Sequence, residues 1–191
     1  MDKEGTGAYV MAIKEYFAKM KGGAASPPRV GAGELLWSWL GASLGIMICA
    51  YLSSRYFEPQ DLTLLIGSFG ASAVLVYGAV KSPLAQPRNL VGGHIVSGLV
   101  GVACQQIFGS VGWLAAAMAV SLAIVAMLAT KTLHPPGGAT ALIAVIGGPK
   151  IHNLGYCYAL VPAGTGALIL LIVALMVNNL AKARKYPEYW F

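Results

Sequence analysis

The sequence predicts an all-α, polytopic transmembrane helix bundle, and three observations carry that prediction. Of its 191 residues, 57% are hydrophobic and 10% charged, against about 25% charged in an ordinary soluble domain. The acids are Asp2, Glu4, Glu15, Glu34, Glu58, Asp61 and Glu188, so residues 62–187 contain none. Several stretches approach the roughly 20 apolar residues that a membrane-crossing helix needs. The acid-free interior argues against an enzyme built on a carboxylate pair and against a carboxylate-lined cation site. A Walker-type nucleotide machine is excluded on the same ground. No enzyme activity, cofactor or metal is expected.

Residues 1–33 read as a cytoplasmic amphipathic segment and linker. Tyr9, Val10, Ile13, Phe17 and Met20 recur at helical spacing with Lys14, Lys19 and Lys21 between them, the pattern of a short helix lying on a membrane surface. A Gly-, Pro- and Ala-rich stretch leads from Met20 to Gly33. This polar start holds no apolar run of the kind that marks a removable signal peptide.

Residues 35–53 and 62–80 then qualify as spans. From Asn89 to Thr130 there is no Lys, Arg, Asp or Glu, which is long enough for two spans, about 90–108 and 112–130, turning at Gly109-Ser110. The segment 135–148 (PPGGATALIAVIGG) is apolar but short and broken by Pro and Gly, as in a re-entrant or interrupted membrane helix. A last span covers about 156–177. If 135–148 crosses, only Arg55 and Lys150 of the 13 basic residues face outward, as the positive-inside rule favours. Six crossings follow, with both termini cytoplasmic, a basic tail at 182–191 and a bacterial inner (plasma) membrane as the expected location. Cytoplasmic basic loops account for the net charge of +6, so no nucleic-acid partner is expected. Cys49, Cys104 and Cys157 each sit in an apolar stretch and read as small buried hydrophobes.

The transmembrane domain, 34–181, reads as two inverted three-helix repeats, about 35–108 and 112–177, with Gly/Pro-broken middle helices. Gly70-Ala71-Ser72-Ala73-Val74-Leu75 matches Gly138-Ala139-Thr140-Ala141-Leu142-Ile143, each in the middle of three spans. An odd number of spans inserts the second copy upside down. Each copy opens on a helix breaker, Gly67-Ser68-Phe69-Gly70 or Pro135-Pro136-Gly137-Gly138, so a half-helix can start inside the membrane. Two such N-termini near the midplane, with no acid nearby, predict an anion site. The candidate substrate-binding residues are Ser68, Gly70, Ala71, Ser72, Arg88, His134, Gly137, Gly138, Ala139 and Thr140. Backbone N–H groups of 70–72 and 138–140 would meet the anion, helped by the hydroxyls of Ser68, Ser72 and Thr140.

Three stretches resemble the HPP family of integral membrane proteins. They are Gly67-Ser68-Phe69-Gly70-Ala71-Ser72-Ala73, then Ser82-Pro83-Leu84-Ala85-Gln86-Pro87-Arg88-Asn89 through Gly92-Gly93-His94, and Lys131-Thr132-Leu133-His134-Pro135-Pro136-Gly137-Gly138-Ala139. The family is named for the triad that stands here as His134-Pro135-Pro136, and the resemblance covers about residues 34–180. It implies a small polytopic protein of bacteria and plastids, usually described with four transmembrane helices, some members being implicated in nitrite transport.

The expected function is transport or channelling of a small monovalent anion, nitrite first, with the lipid bilayer as the other partner. A homo-oligomer, dimer or trimer, is compatible with so small a pore protein. A non-transporting membrane scaffold is the alternative. Arg88 is expected to draw the anion in from the cytoplasm, and His134 to accept a proton. Lys81 and Lys131 read as interfacial lysines. His94, one turn into a span, reads as a core histidine.

Overall fold

The computed structural model describes residues 13–60 and 63–191 and divides into two compact units at Val30. In the first, residues 13–19 are helical, and all their side chains are exposed. Tyr9 and Val10, which complete the expected amphipathic stripe, lie outside the described residues.

Among the described residues, every regular element of the second unit is a helix. Its elements are α1 (Ala32–Leu52), α2 (Ser68–Ala73), α3 (Pro87–Phe108), α4 (Gly112–Ala129), α5 (Pro135–Ile146), α6 (Gly148–His152) and α7 (Thr165–Leu180). Wider π turns extend α1 to Phe57 and α2 to Gly78, and a 3-10 turn and a π turn lead from Gly155 into α7. Among the described residues, four stretches are long and apolar enough to cross a membrane: Ala32–Phe57, Pro87–Phe108, Gly112–Ala129 and Gly155–Leu180. Ser68–Gly78 and Pro135–Ile146 are apolar but shorter. At 12 residues, α5 spans about 18 Å, short of a hydrocarbon core of roughly 30 Å.

The stretch read as a span over 62–80 therefore differs from expectation. Residue 62 lies outside the described residues, and 63–66 are not helical. Ser53 Oγ at the end of α1 takes up the N–H groups of Leu64 and Leu65 at 3.2 and 3.4 Å, so backbone donors that a helix would satisfy internally are satisfied by a side chain. The last span is interrupted at Val161, which is extended (φ −133°, ψ 115°) because Pro162 follows and disfavours the helical region.

Proline also starts helices. Pro87 opens α3 after extended Gln86, and Pro135 and Pro136 open α5 after extended His134, positions where the missing N–H costs nothing. Between them, α4 ends in a Schellman turn. Lys131 N and Thr132 N donate to Leu128 O and Met127 O, with Lys131 left-handed at φ 57°, the place usually held by glycine. That turn sends 132–134 back into the bundle.

Small residues set the packing, as is usual between membrane helices. Ala115, Ala119, Ala123 and Met127 form the buried stripe of α4 at four-residue steps. On α1 the stripe is Gly41, Gly45 and Cys49, and Tyr77 lays its ring against both glycines while its hydroxyl donates to Leu170 O. α3 packs on α4 and α5, and α1 on α2 and α7. On α3, a Cβ at Gly101 would stand 2.6 Å from Ala141 O, so only glycine permits that approach to α5.

The chain after α7 is no free basic tail. Arg184 is buried and donates to the Glu34 carboxylate and carbonyl, Ser38 Oγ, Asn178 Oδ1 and Tyr77 O at 2.8–3.2 Å. Tyr186 and Tyr189 donate to Ala85 O and Pro83 O, and Glu188 N donates to Gln86 Oε1. The segment thus binds the 83–86 turn. Of the cysteines, Cys49 and Cys104 are buried as expected, whereas Cys157 is exposed.

Candidate functional site

The two short helices meet side by side. Ser68, the first residue of α2, lies 2.9 Å from Thr140, more than one turn into α5. His134, which caps α5, lies 2.9 Å from Ser72, one turn into α2. Two helices whose starts each face the other's second turn run antiparallel. Between them stands His94 of α3, with Nε2 2.8 Å from Ser72 Oγ and Nδ1 2.7 Å from Thr140 Oγ1. One imidazole therefore joins the two hydroxyls that occupy matching places in the Gly-Ala-Ser/Thr-Ala stretches.

All five side chains are fully buried, and each has partners, as buried polar groups require. His134 Nδ1 lies 2.7 Å from Leu84 O. The backbone around the row is fixed as well: Asn89 Nδ2 donates to Leu133 O, and the Tyr158 hydroxyl to Thr140 O. A side chain at Gly93 would collide with His134 and with Thr132 O, so glycine there lets the 132–134 segment lie against α3.

The carbonyl fixes the hydrogens. Leu84 O can only accept, so His134 carries its hydrogen on Nδ1. Its bare Nε2 then accepts from the Ser72 hydroxyl at 2.9 Å, a closer acceptor than Ser68 O at 3.2 Å. With that hydrogen spent, His94 must donate Nε2–H to Ser72 Oγ and accept at Nδ1 from Thr140. In the neutral row every bond thus points the same way, from Thr140 to Leu84 O. In its other orientation the Thr140 hydroxyl meets Ser68 Oγ, or Pro136 O at 3.3 Å.

Four of the expected site residues come together here: Ser68, Ser72, His134 and Thr140. Gly137 is buried beside Ser97 and Gly93 O, adjoining the row. Gly138 and Ala139 instead line a largely apolar hollow of about 500 Å³ with Leu133, Val120, Ile124 and Met127. Gly70 and Ala71 are exposed, on the face of α2 away from Ser68 and Ser72. Arg88 stays out of the row, donating to Thr130 O at the end of α4, and Lys81 and Lys131 are exposed.

The backbone donors expected to meet an anion are partly used. Pro135 and Pro136 have none, Gly137 N donates to His134 O, and Phe69 N and Gly70 N donate to Ile66 O and Gly67 O. The polar chemistry rests on side chains. Sequence reasoning set His94 aside as a core histidine and passed over Ser97. Among the described residues, Ser97 Oγ is the one buried side-chain polar atom without a hydrogen-bond partner, one turn along α3 from His94. The signal for both was faint: two polar residues on one face of a helix that contains no acid.

Comparison with known proteins agrees with this architecture. Residues 27–187 match the family described as HPP, transmembrane region. A transmembrane protein of Dictyostelium discoideum is 49% identical over 180 residues, 93% of this chain and 58% of that protein. A second from the same organism is 44% identical over 186 residues, 95% of this chain and 65% of its own length. The chain thus spans less than two thirds of either relative. No solved structure matches it.

Proposed function

This chain belongs to the HPP family of transmembrane proteins, and from that premise we propose that it is a transporter or channel for a small monovalent anion, nitrite first. The observation that carries the reading is the buried Ser–His–His–Thr row in a bundle whose residues 62–187 contain no acid. Polar and ionisable residues inside a membrane bundle are rare and costly, and commonly mark a solute or proton path. Hydroxyl and imidazole N–H groups without a carboxylate among them suit an anion. Ser97 Oγ, unpartnered beside the row, is the donor left to bind one.

The packing favours two inverted repeats around this site. α1 contacts α2 and α7, while α4 contacts α5 and α3, the pattern expected if α1, α2 and α3 correspond to α4, α5 and α7. His94 joining Ser72 to Thr140 then lies near the axis relating the copies. In this reading the short helices and their flanking breaks complete six crossings, with both termini on the cytoplasmic side of a bacterial inner membrane, as the Lys and Arg distribution favours. His134, at the edge of the row nearest the basic loops, is the group that takes up a proton.

The test is anion flux into liposomes holding the purified protein, comparing nitrite with nitrate, chloride and formate at two pH values. Nitrite-selective uptake, faster with an inward proton gradient and lost in His134→Ala, is expected. Uptake whose pH dependence survives His134→Ala would remove His134 from the mechanism. No flux of any anion through folded protein would assign the chain to membrane scaffolding instead.

A further inference from the structure

The row between Thr140 and Leu84 has two complete hydrogen-bonding arrangements, and they differ by one proton. In the neutral arrangement Thr140 donates to His94 Nδ1, His94 Nε2 to Ser72, Ser72 to His134 Nε2, and His134 Nδ1 to Leu84 O. A proton reaching Thr140 Oγ1 releases the hydrogen already there to His94 Nδ1. His94 passes its Nε2 hydrogen to Ser72, and Ser72 passes its own to His134 Nε2. His134 ends as an imidazolium donating at both nitrogens, to Ser72 and to Leu84 O. His94 is neutral again with its hydrogen moved from Nε2 to Nδ1, and Thr140 now donates to Ser68 Oγ, 2.9 Å away. No heavy atom has moved, the three bonds from Thr140 to His134 Nε2 are remade in reverse while His134 Nδ1 still donates to Leu84 O, and one positive charge has been gained at His134.

We propose that Thr140, His94, Ser72 and His134 form a proton relay that loads one proton onto His134, so that one monovalent anion enters with each proton. The proposal rests on the transport reading for the anion and on the hydrogen-bond geometry for the relay. Leu84 O is what makes the relay a store. A deprotonated Nδ1 would set a lone pair against that carbonyl, so the proton stays on His134 until the 83–86 turn moves or the row carries it back. The loaded imidazolium is a lone positive charge in an acid-free interior, a strong attraction for one anion and a weak one for a neutral solute.

Glu188 and Tyr189, against the 83–86 turn, are exposed, and the buried surroundings leave the two histidines as the groups that change charge. α4, α5 and α7 carry no titratable residue. Tyr158 turns its hydroxyl to Thr140 O and Tyr186 to Ala85 O. On α2, Tyr77 points to Leu170 O. On α3, Arg88 is held at Thr130 O and Cys104 lies more than two turns beyond His94, while Lys81 and Lys131 face outward.

Nitrogen-15 NMR of the full-length protein in lipid, with histidine labelled, tests the relay without any anion flux. His134→Gln and His94→Gln samples serve only to assign the signals. At high pH His134 is expected to carry its hydrogen on Nδ1 and His94 on Nε2. As the pH falls, His134 becomes an imidazolium, and in the same step His94 switches its hydrogen to Nδ1 without gaining charge. A His94 that keeps Nε2–H while His134 titrates overturns the relay, as does a His94 that itself becomes the imidazolium or a His134 that never takes up a proton. Vesicles with a trapped pH dye then measure coupling, each anion being added outside in turn. One proton entering per anion supports the proposal, and anion entry without acidification beyond protein-free vesicles overturns the coupling. If no anion enters but the NMR switch is present, transport fails and the relay stands.

Discussion

The guanidinium of Arg184 meets the carboxylate of Glu34 at 2.8 Å, closing the end of the bundle onto its beginning across 150 residues. The Arg184 side chain is 3% exposed and that of Glu34 40%. An arginine so buried is stabilised by the whole set of acceptors around it, of which the carboxylate is one. Arg184→Met takes a charged donor from all of these acceptors and is therefore expected to cost about 3 kcal/mol, hydrogen bonds to charged groups being worth about 1.5–3 kcal/mol. Glu34→Gln, at the half-exposed partner, should cost about 1 kcal/mol. Chemical unfolding in detergent micelles measures both, and equal losses would contradict the ranking.

Thr140 offers a cleaner cut into the row. Thr140→Val keeps the shape but removes the hydroxyl that serves His94 Nδ1 and Ser68 Oγ, whereas Thr140→Ser keeps the hydroxyl and loses a methyl. A neutral hydrogen bond is worth about 0.5–1.5 kcal/mol, and the valine also removes the hydroxyl at the head of the row, so that variant should transport about ten-fold slower. The serine variant should retain most of the rate. Initial anion uptake into vesicles reads the difference.

Lys131 holds a left-handed conformation with a side chain that points to the exterior. Such a conformation costs a non-glycine residue about 1–2 kcal/mol, partly offset because glycine loses more freedom on folding. Lys131→Gly should gain about 0.5 kcal/mol in the same unfolding assay. Gly101→Ala is the opposite case. Its new methyl would press on the Ala141 backbone, which cannot move aside as a side chain can, so a loss of about 1–3 kcal/mol is expected.

Tyr186 lies beyond the last span, and burial pushes its phenol above its ordinary value near 10. The unfolded chain thus ionises this tyrosine first as pH rises. Its contribution is fully present below about pH 10 and is lost as pH climbs toward the folded value. Tyr186→Phe should therefore flatten the fall of stability between about pH 10 and 12, besides losing about 1 kcal/mol at neutral pH with the bond to Ala85 O. An unaltered alkaline slope would show that Tyr186 is not the group responsible.

The architecture was legible where composition speaks alone. The long uncharged run from Asn89 to Thr130 gave α3 and α4, and the Pro135-Pro136-Gly137-Gly138 breaker placed α5 to within two residues of its observed end. The start of α2 was hidden because Thr63 to Ile66 are apolar enough to read as span, and only the bond from Ser53 across 11 residues reveals how their backbone is satisfied outside a helix. At the site, the hydroxyls of Ser68, Ser72 and Thr140 followed from matched motifs. His94 did not, because its partners come from residues 22 and 46 positions away, and a histidine inside an apolar helix looks the same whether it packs or bridges. A cation beside a Gly/Pro motif suggests a ligand, and in the structure Arg88 donates to Thr130 O at the end of α4.

The antiparallel contact between α2 and α5 also has a mechanical side. Ser68 meets Thr140 at one end of the overlap, and Ser72 meets His134 about one turn away at the other. Sliding either helix along its axis breaks both contacts together and shears His94 from its two neighbours in the same stroke. The overlap therefore behaves as a latch with a single catch, in which one end cannot open while the other stays shut.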